Sequence, residues 1–466
     1  MKRVAILYGA CETPLQKKAI SLLSEIILDD TFAYPVCAPL RESEKFADRL
    51  RIYVGTKETN AYIREHSDAV LTHDESYAIR VTEGVVMIEG KDDAGVVYGC
   101  MDFYNKYLLR LEYPHHPDLY RVNPLEGAFP DFSYSSSPAI KHRGIWTWGH
   151  VIYDYRAFLD NMVKLKLNTL ILWNDFVPLN AREMIDYAHS LHIKLIWGYS
   201  WLWETSFEGF SVEQAENSID AIIEKYETEY LPLGGDGIYF QSFTETSSDS
   251  IGGVLIADAV TNFVNKVSAR LLAKYPDLEL QFGLHAESVR NKLESIKRVD
   301  PRVRIVWENC GAFPFSYLPN DVGEFDGTVR FVEEISRLRG NDDKFGVVTK
   351  GLVKLDWTSF SHAEGQLFPG VSSKYMQDDR IRRKSKIWRY IQAYWLTSAP
   401  KAHEMAKVLR NCKDGDLYVT ALVEDGMFER NIMFPVALYA EMLWDTEGDT
   451  SELINQVALR EYVDFA

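Results

Sequence analysis

Apolar residues recur along this chain in two alternating patterns. Short, dense apolar runs of strand character cover His142–Trp148, Thr169–Asp175, Lys194–Trp203, Gly237–Glu245, Leu278–Glu287, Val303–Asn309, Phe345–Trp357 and Asp416–Val423. Between them lie amphipathic stretches of helical period: Tyr153–Leu167, Asn180–Leu191, Val212–Tyr230, Val254–Tyr275, Ser288–Arg298, Thr328–Leu338, Asp378–Leu396 and Phe428–Trp444. Period-2 runs alternating with 3.6-period runs imply βαβ units and a parallel sheet. Eight such units over about 300 residues predict an α/β chain whose main body is a (β/α)8 TIM barrel.

The residues before the barrel follow a different plan. Strands are expected at Arg3–Tyr8, Leu50–Gly55, Tyr77–Val81 and Val85–Glu89, with helices at Leu15–Leu28 and from about Ala94 to Leu109. Asp92 and Asp93 supply acidic capping for the second helix. The organisation predicted is an N-terminal α/β domain at 1–125, a polar linker at 126–138 rich in serine (Ser133–Ser137), and a barrel with its C-terminal helix at 139–466. The N-terminal domain is read as a packing and positioning element.

Composition narrows the function classes. With 46% hydrophobic and 26% charged residues over 466 positions, the chain has ample material for a core and no disorder signature. A formal net charge of −17 argues against nucleic acid as a partner. The one basic cluster, Arg380–Lys386, reads as a solvated helix face. No apolar stretch is long enough to span a membrane, and Met1–Gly9 runs into a first strand without a secretory apolar region. Cys11, Cys37, Cys100, Cys310 and Cys412 are scattered without CxxC spacing, which fits reduced thiols and a cytoplasmic location. The histidines have no HExxH-like spacing, and no GxSxG elbow or GxxxxGK[ST] loop is present, so neither metal nor cofactor is implied. Gly234–Gly237 is a tight turn ahead of the fourth barrel strand.

The chemistry concentrates where strands end. Eight of the eleven tryptophans fall near the ends of the apolar runs, most beside a carboxylate, an amide or a histidine. A TIM barrel places its active site at those C-terminal strand ends. Aromatic faces among polar readers suit a sugar, whose C–H faces are apolar while its hydroxyls need hydrogen bonds. The expected platform is Trp146, Trp148, Trp173, Trp201, Trp307 and Trp357. The expected hydroxyl readers are Asn174, Asp175, Gln241, His285, Glu287 and Asn309. Arg143, Lys350 and His362 are candidate holders of a sugar carboxylate, with a buried structural role as the alternative for Arg143.

Three further stretches carry a family resemblance. Tyr77–Val81 followed by Val86–Gly99 resembles the N-terminal domain that microbial α-glucuronidases and β-N-acetylhexosaminidases place ahead of a catalytic (β/α)8 barrel. His142-Arg143-Gly144 is similar to the opening of their barrel, and Leu438–Asp445 to the last barrel helix of α-glucuronidases. The resemblance implies a glycoside hydrolase, exo-acting on a short oligosaccharide that carries an N-acetylhexosamine or a uronic acid.

Glycoside hydrolysis needs one carboxylic acid to protonate the leaving oxygen and a second carboxylate as base or nucleophile. Glu245, at the end of the fourth strand, is the expected acid, a position that supplies the acid in the enzymes this chain resembles. Glu308 on the sixth strand and Asp356 on the seventh are its candidate partners, matched in placement to α-glucuronidases. Hexosaminidases carry an Asp-Glu pair where this chain has Thr244-Glu245, and a hydroxyl lacks the charge that stabilises an oxazolinium. Two rival readings stay open: a non-catalytic carbohydrate-binding protein on a glycosidase scaffold, and a metal-dependent lyase or epimerase. The partner expected is an oligosaccharide substrate; nothing in the pattern specifies an oligomer.

Overall fold

The computed structural model describes residues 3–11, 13–115, 120–148, 152, 154–173, 176–202, 211–243, 249–251, 253–285, 289–309, 325–352, 365, 366, 368, 370, 374–412, 416–423, 428, 434–461 and 463. They fold as two units: Met1–Pro138 with Ser190–His192 and Ala458–Ala466, and Ala139–His189 with Ile193–Val457.

The first unit is a six-stranded sheet of order β2-β1-β3-β5-β4-β6, built from β1 (Val4–Tyr8), β2 (Val36–Pro39), β3 (Leu50–Gly55), β4 (Tyr77–Thr82), β5 (Val85–Gly90) and β6 (Phe132–Ser136). β1, β2, β3 and β5 pair in parallel, while β4 runs antiparallel to both β5 and β6. Helices Pro14–Thr31 and Asp93–Asp102 belong to this unit. Asp92 caps the second, its side chain accepting from the Gly95 amide at 2.8 Å. Asp93 does something different: its two oxygens accept from Thr13 Oγ1 and Gln16 Nε2, both at 2.7 Å, tying one helix start to the other.

Two features depart from the sequence reading. The serine-rich segment expected as a linker contains β6, which pairs with β4 from Phe132 to Ser136. Its serines and flanking prolines read as loop, and pairing with β4, with residues alternating between half-buried and exposed, makes it a strand. Strand β2 was not anticipated, because Val36-Cys37-Ala38-Pro39 is short and ends in proline.

The second unit is a closed barrel of eight parallel strands. These are β7 (His142–Trp148), β8 (Thr169–Trp173), β9 (Lys194–Gly198), β10 (Gly237–Phe240), then, after a small β11/β12 hairpin (Ser250–Ile251, Val254–Leu255), β13 (Leu280–His285), β14 (Val303–Asn309), β15 (Phe345–Leu352) and β16 (Leu417–Val423). β16 closes on β7 with Leu422 abreast of Trp146. All positions of β14, β15 and β16 are buried, as expected of parallel strands covered on both faces. The inward layers hold Trp146, Ile171, Trp173, Ile196, Tyr239, Val306, Val348, Tyr418 and Leu422. Gly144 is obligatory here, since a Cβ would overlap the Thr169 carbonyl of the neighbouring strand. No described helix is long and apolar enough to cross a membrane.

The N-terminal end of the barrel is closed by charge. Asp416 bridges His142 (3.3 Å) and Arg304 (2.8 Å), Arg304 reaches Glu279 at 2.6 Å, and Lys344 joins Glu279 at 3.2 Å. The His142 ring stacks on Tyr418 with centroids 4.0 Å apart, and Lys194 Nζ lies 3.2 Å from the Tyr418 hydroxyl. Burial draws the His142 imidazole below its ordinary 6.5, against the pull of Asp416. Below that pH the unfolded histidine takes up a proton that the folded one refuses, so stability falls. The hydrogen bond from His142, with the charge of Arg304, holds the Asp416 carboxyl well below the usual range against its partial burial. Its contribution is present above about pH 3.9 and fades as pH drops further. We therefore expect the melting temperature to fall in two stages on acidification, first below pH 6.5 and again below about 4. His142→Gln should lose the first stage and, by removing the imidazole that leads in holding Asp416 down, weaken the second; a variant with the wild-type pH profile would show that His142 is not held neutral.

Candidate active site

At the opposite, C-terminal end the strands deliver a different set. Glu308 lies next to the end of β14 and is 1% exposed. Its register partners are His285 on β13 and Val348 on β15, so Lys350 stands two residues further along β15, on the same face. Lys350 Nζ donates to Glu308 Oε2 at 3.2 Å. The other oxygen, Oε1, accepts from the Tyr239 hydroxyl of β10 and from Gln241 Nε2 just beyond it.

Burial opposes the ionisation of Glu308 most strongly, yet the charges of Lys350 and His285 and the two hydrogen bonds outweigh it, and the carboxyl is held below its usual range. Burial and the adjacent Glu308 charge push the Tyr239 phenol well above its own range, so it remains a donor. The site thus fixes an anion inside the barrel, ionised at neutral pH, with Lys350 as counter-cation.

Two backbone devices make this possible. β13 lies between β10 and β14, and Tyr239 reaches Glu308 across Gly283, where a Cβ would overlap the Tyr239 hydroxyl and come within 2.8 Å of Glu308 Oε1. Gly283→Ala is therefore expected to cost about 1–3 kcal/mol by overpacking and to break the Tyr239 contact. A denaturation midpoint equal to wild type would contradict the close crossing. At the end of β15 the register shifts between Thr349 and Leu352, with Gly351 at φ 110°, a bulge beside Lys350 of the kind that re-aims side chains near active sites. Trp395 Nε1 fixes it by donating to the Gly351 carbonyl at 2.9 Å.

The aromatics divide into two groups. Trp146, Trp173 and Tyr239 face inward as one cluster, with centroids 6.5, 5.9 and 5.8 Å apart, and Lys350 Nζ sits 4.9 Å above the Trp146 ring. Gly198 leaves room for Trp173, since a Cβ there would lie 2.8 Å from its Cα and Cε3. Trp201 and Trp307, expected in the platform, pack elsewhere. Trp201 stacks on Phe240 at 3.5 Å, and Trp307 rests on Phe331 of helix Phe325–Ser336 at 5.3 Å. Each lies on the helix-facing side, because it neighbours or stacks on a residue one position from an inward one. Asn309, following Glu308, is buried on that outer side as well.

Arg143 is also not part of the group. Its guanidinium donates to the carbonyls of Ile140, Lys141 and Lys166 at 2.7–3.0 Å and lies 5.1 Å over the Trp444 ring, at the N-terminal end of the barrel. Lys166 pairs with buried Glu441 there at 3.1 Å, so the Arg-Gly strand opening and the Glu-Met-Leu-Trp helix lock together as one structural knot. The described residues brought together are Trp146, Trp173, Gln241, His285, Glu308 and Lys350. Asn174, Asp175, Glu245, Glu287, Asp356, Trp357, His362 and the side chain of Trp148 lie outside the described residues. Tyr239 is not among the sequence-predicted site residues, yet it is the donor to Glu308. The signal available was the lone glycine inside β13, which marks a close approach.

No family model and no curated protein matches the sequence. Solved structures do match in fold. One is a GH115 4-O-methyl-α-glucuronidase with specificity for decorated arabinogalactans, 14% identical, TM-score 0.53, over 97% of this chain and 58% of that one. Another is a GH138 enzyme targeting pectin rhamnogalacturonan II, 12% identical, TM-score 0.53, over 97% of this chain and 52% of that one. A third is the β-N-acetylhexosaminidase of Bacteroides fragilis, 13% identical, TM-score 0.52, over 96% and 88%. The chain has the fold of these glycosidases. It spans little more than half the length of the first two. The resemblance expected from Tyr77–Gly99, His142–Gly144 and Leu438–Asp445 is met at the level of fold.

Proposed function

We propose that this chain is a glycoside hydrolase, exo-acting on short oligosaccharides that carry an N-acetylhexosamine or a uronic acid. The observation that carries the reading is the buried, ionised Glu308 among Lys350, Tyr239 and Gln241, beside the Trp146/Trp173 face at the C-terminal end of the barrel. A fixed carboxylate in a water-poor pocket suits the oxocarbenium-like charge that develops when a glycosidic bond breaks. Held ionised, Glu308 cannot be the proton donor. That role falls to Glu245, with Asp356 as the third carboxylate, and their separation decides the stereochemistry: about 5–5.5 Å for retention, about 6.5–9.5 Å for inversion. Lys350 is our candidate for holding a sugar carboxylate, a role it would serve while paired with Glu308.

A second reading, a carbohydrate-binding protein without catalysis, draws support from the same carboxylate, since three donors already occupy its oxygens. The two separate in a screen of the purified protein against aryl glycosides of hexoses, N-acetylhexosamines and uronic acids, with aldobiouronic acids alongside. Release from one class, lost on substitution of Glu245, is the expected result. Tight binding to one of these sugars with no release would favour the binding protein.

A further inference from the structure

Helix Lys374–Cys412 is 39 residues long, whereas the strand before it, β15, has 8. Trp395 stands level with the C-terminal end of β15, because its indole donates to the Gly351 carbonyl at 2.9 Å. The helix follows β15 and returns antiparallel to it to reach Asp416 at the far end of the barrel, so residues before Trp395 rise past the barrel mouth. At 1.5 Å per residue, positions 380–389 lie roughly 9–22 Å before Trp395 along the helix axis, with Trp388 buried on the packed face and Arg382, Arg383, Lys386 and Arg389 on the exposed one. This span reads Arg-Ile-Arg-Arg-Lys-Ser-Lys-Ile-Trp-Arg, with six cations and no acid, in a chain of net charge −17. Arg382 and Arg383 are 80% and 66% exposed and share a single carboxylate, Asp379, at 2.6 Å each. Lys386 and Arg389 are exposed too, and Tyr375 (76%) and Tyr390 (40%) flank the cations on the same projecting segment.

We propose that this projecting helix is a binding surface for an acidic polysaccharide, a chain of uronate residues, which it holds beside the barrel mouth. The inference rests on the glycosidase reading, and it names the polymer to which the cleaved sugar belongs. Guanidinium groups pair with carboxylates, and exposed tyrosines offer faces to sugar rings. The position at the mouth fits a polymer whose end enters the barrel.

The test uses the full-length protein in native gels containing polygalacturonate, with fully methyl-esterified polygalacturonate as the same backbone without charge. The expected result is strong retardation by the acidic polymer, little by its ester, and binding at least about tenfold weaker in Arg382→Glu/Arg383→Glu/Lys386→Glu. A matching Gln triple variant, with an unchanged melting temperature, serves if the charge reversal disturbs folding. Absence of retardation in wild type, retention of it in both triple variants, or equal retardation by duplex DNA would each overturn the proposal. Binding is read without turnover, so these outcomes stand whether or not a small glycoside is cleaved. Conversely, loss of small-substrate cleavage in Glu245→Gln with polymer binding intact leaves the surface assigned.

Discussion

Glu308→Ala is expected to lower stability by about 3–5 kcal/mol, the range for removing one partner of a buried ion pair. Alanine would leave the Lys350 ammonium without its carboxylate, and the Tyr239 hydroxyl and Gln241 amide without the oxygen they share, in a pocket almost closed to solvent. The loss is read from the denaturant midpoint at unchanged slope, since the surface exposed on unfolding stays the same. Two companions isolate the cause. Glu308→Gln keeps the shape and an acceptor oxygen but not the charge, so its loss is smaller. Lys350→Met added to Glu308→Ala removes the stranded cation and should recover part of the stability, which makes the pair non-additive. A single alanine variant as stable as wild type would mean that Glu308 is not paired as described. Turnover should fall in every Glu308 variant, including the stable ones, if the carboxylate also serves the transition state.

Glu245→Gln is expected to reduce turnover at least about 100-fold, because general acid catalysis typically contributes roughly 10² to 10⁴. The amide has the size of the acid but no proton to give the leaving oxygen. Substrates with good leaving groups need that proton less, so aryl glycosides should be affected less than natural disaccharides. This asymmetry separates a proton donor from a residue that only binds: loss of binding would raise KM for both substrates alike. Near-normal turnover on a natural disaccharide would remove Glu245 from the mechanism and move the search to Asp356. Unlike the Glu308 variant, Glu245→Gln should leave the denaturant midpoint close to wild type, since the exchange preserves volume and polarity.

Much of the architecture was legible in the order of residues. Period-2 and period-3.6 runs are local properties of the chain, and eight alternations admit few folds, so the barrel, its strand positions and the end that carries Glu308 and Lys350 all followed from pattern. Asp92 as a cap was equally local. What pattern could not assign was the side of the barrel wall a given aromatic occupies. Trp146 and Trp307 look alike in sequence, each inside an apolar run, yet the first faces Lys350 and the second a helix, because a shift of one residue reverses the face. Sequence left Arg143 open between a carboxylate holder and a buried structural residue, and the Lys166 and Trp444 contacts at the opposite end decide for the second. The Tyr239–Glu308 bond spans three strands and 69 positions of sequence, and it exists only because Gly283 between them has no side chain. The sequence by itself determined which elements form and at which end polar groups gather. Register, strand closure and the space left by single glycines decided which of those groups meet, since such contacts join residues that no local period relates.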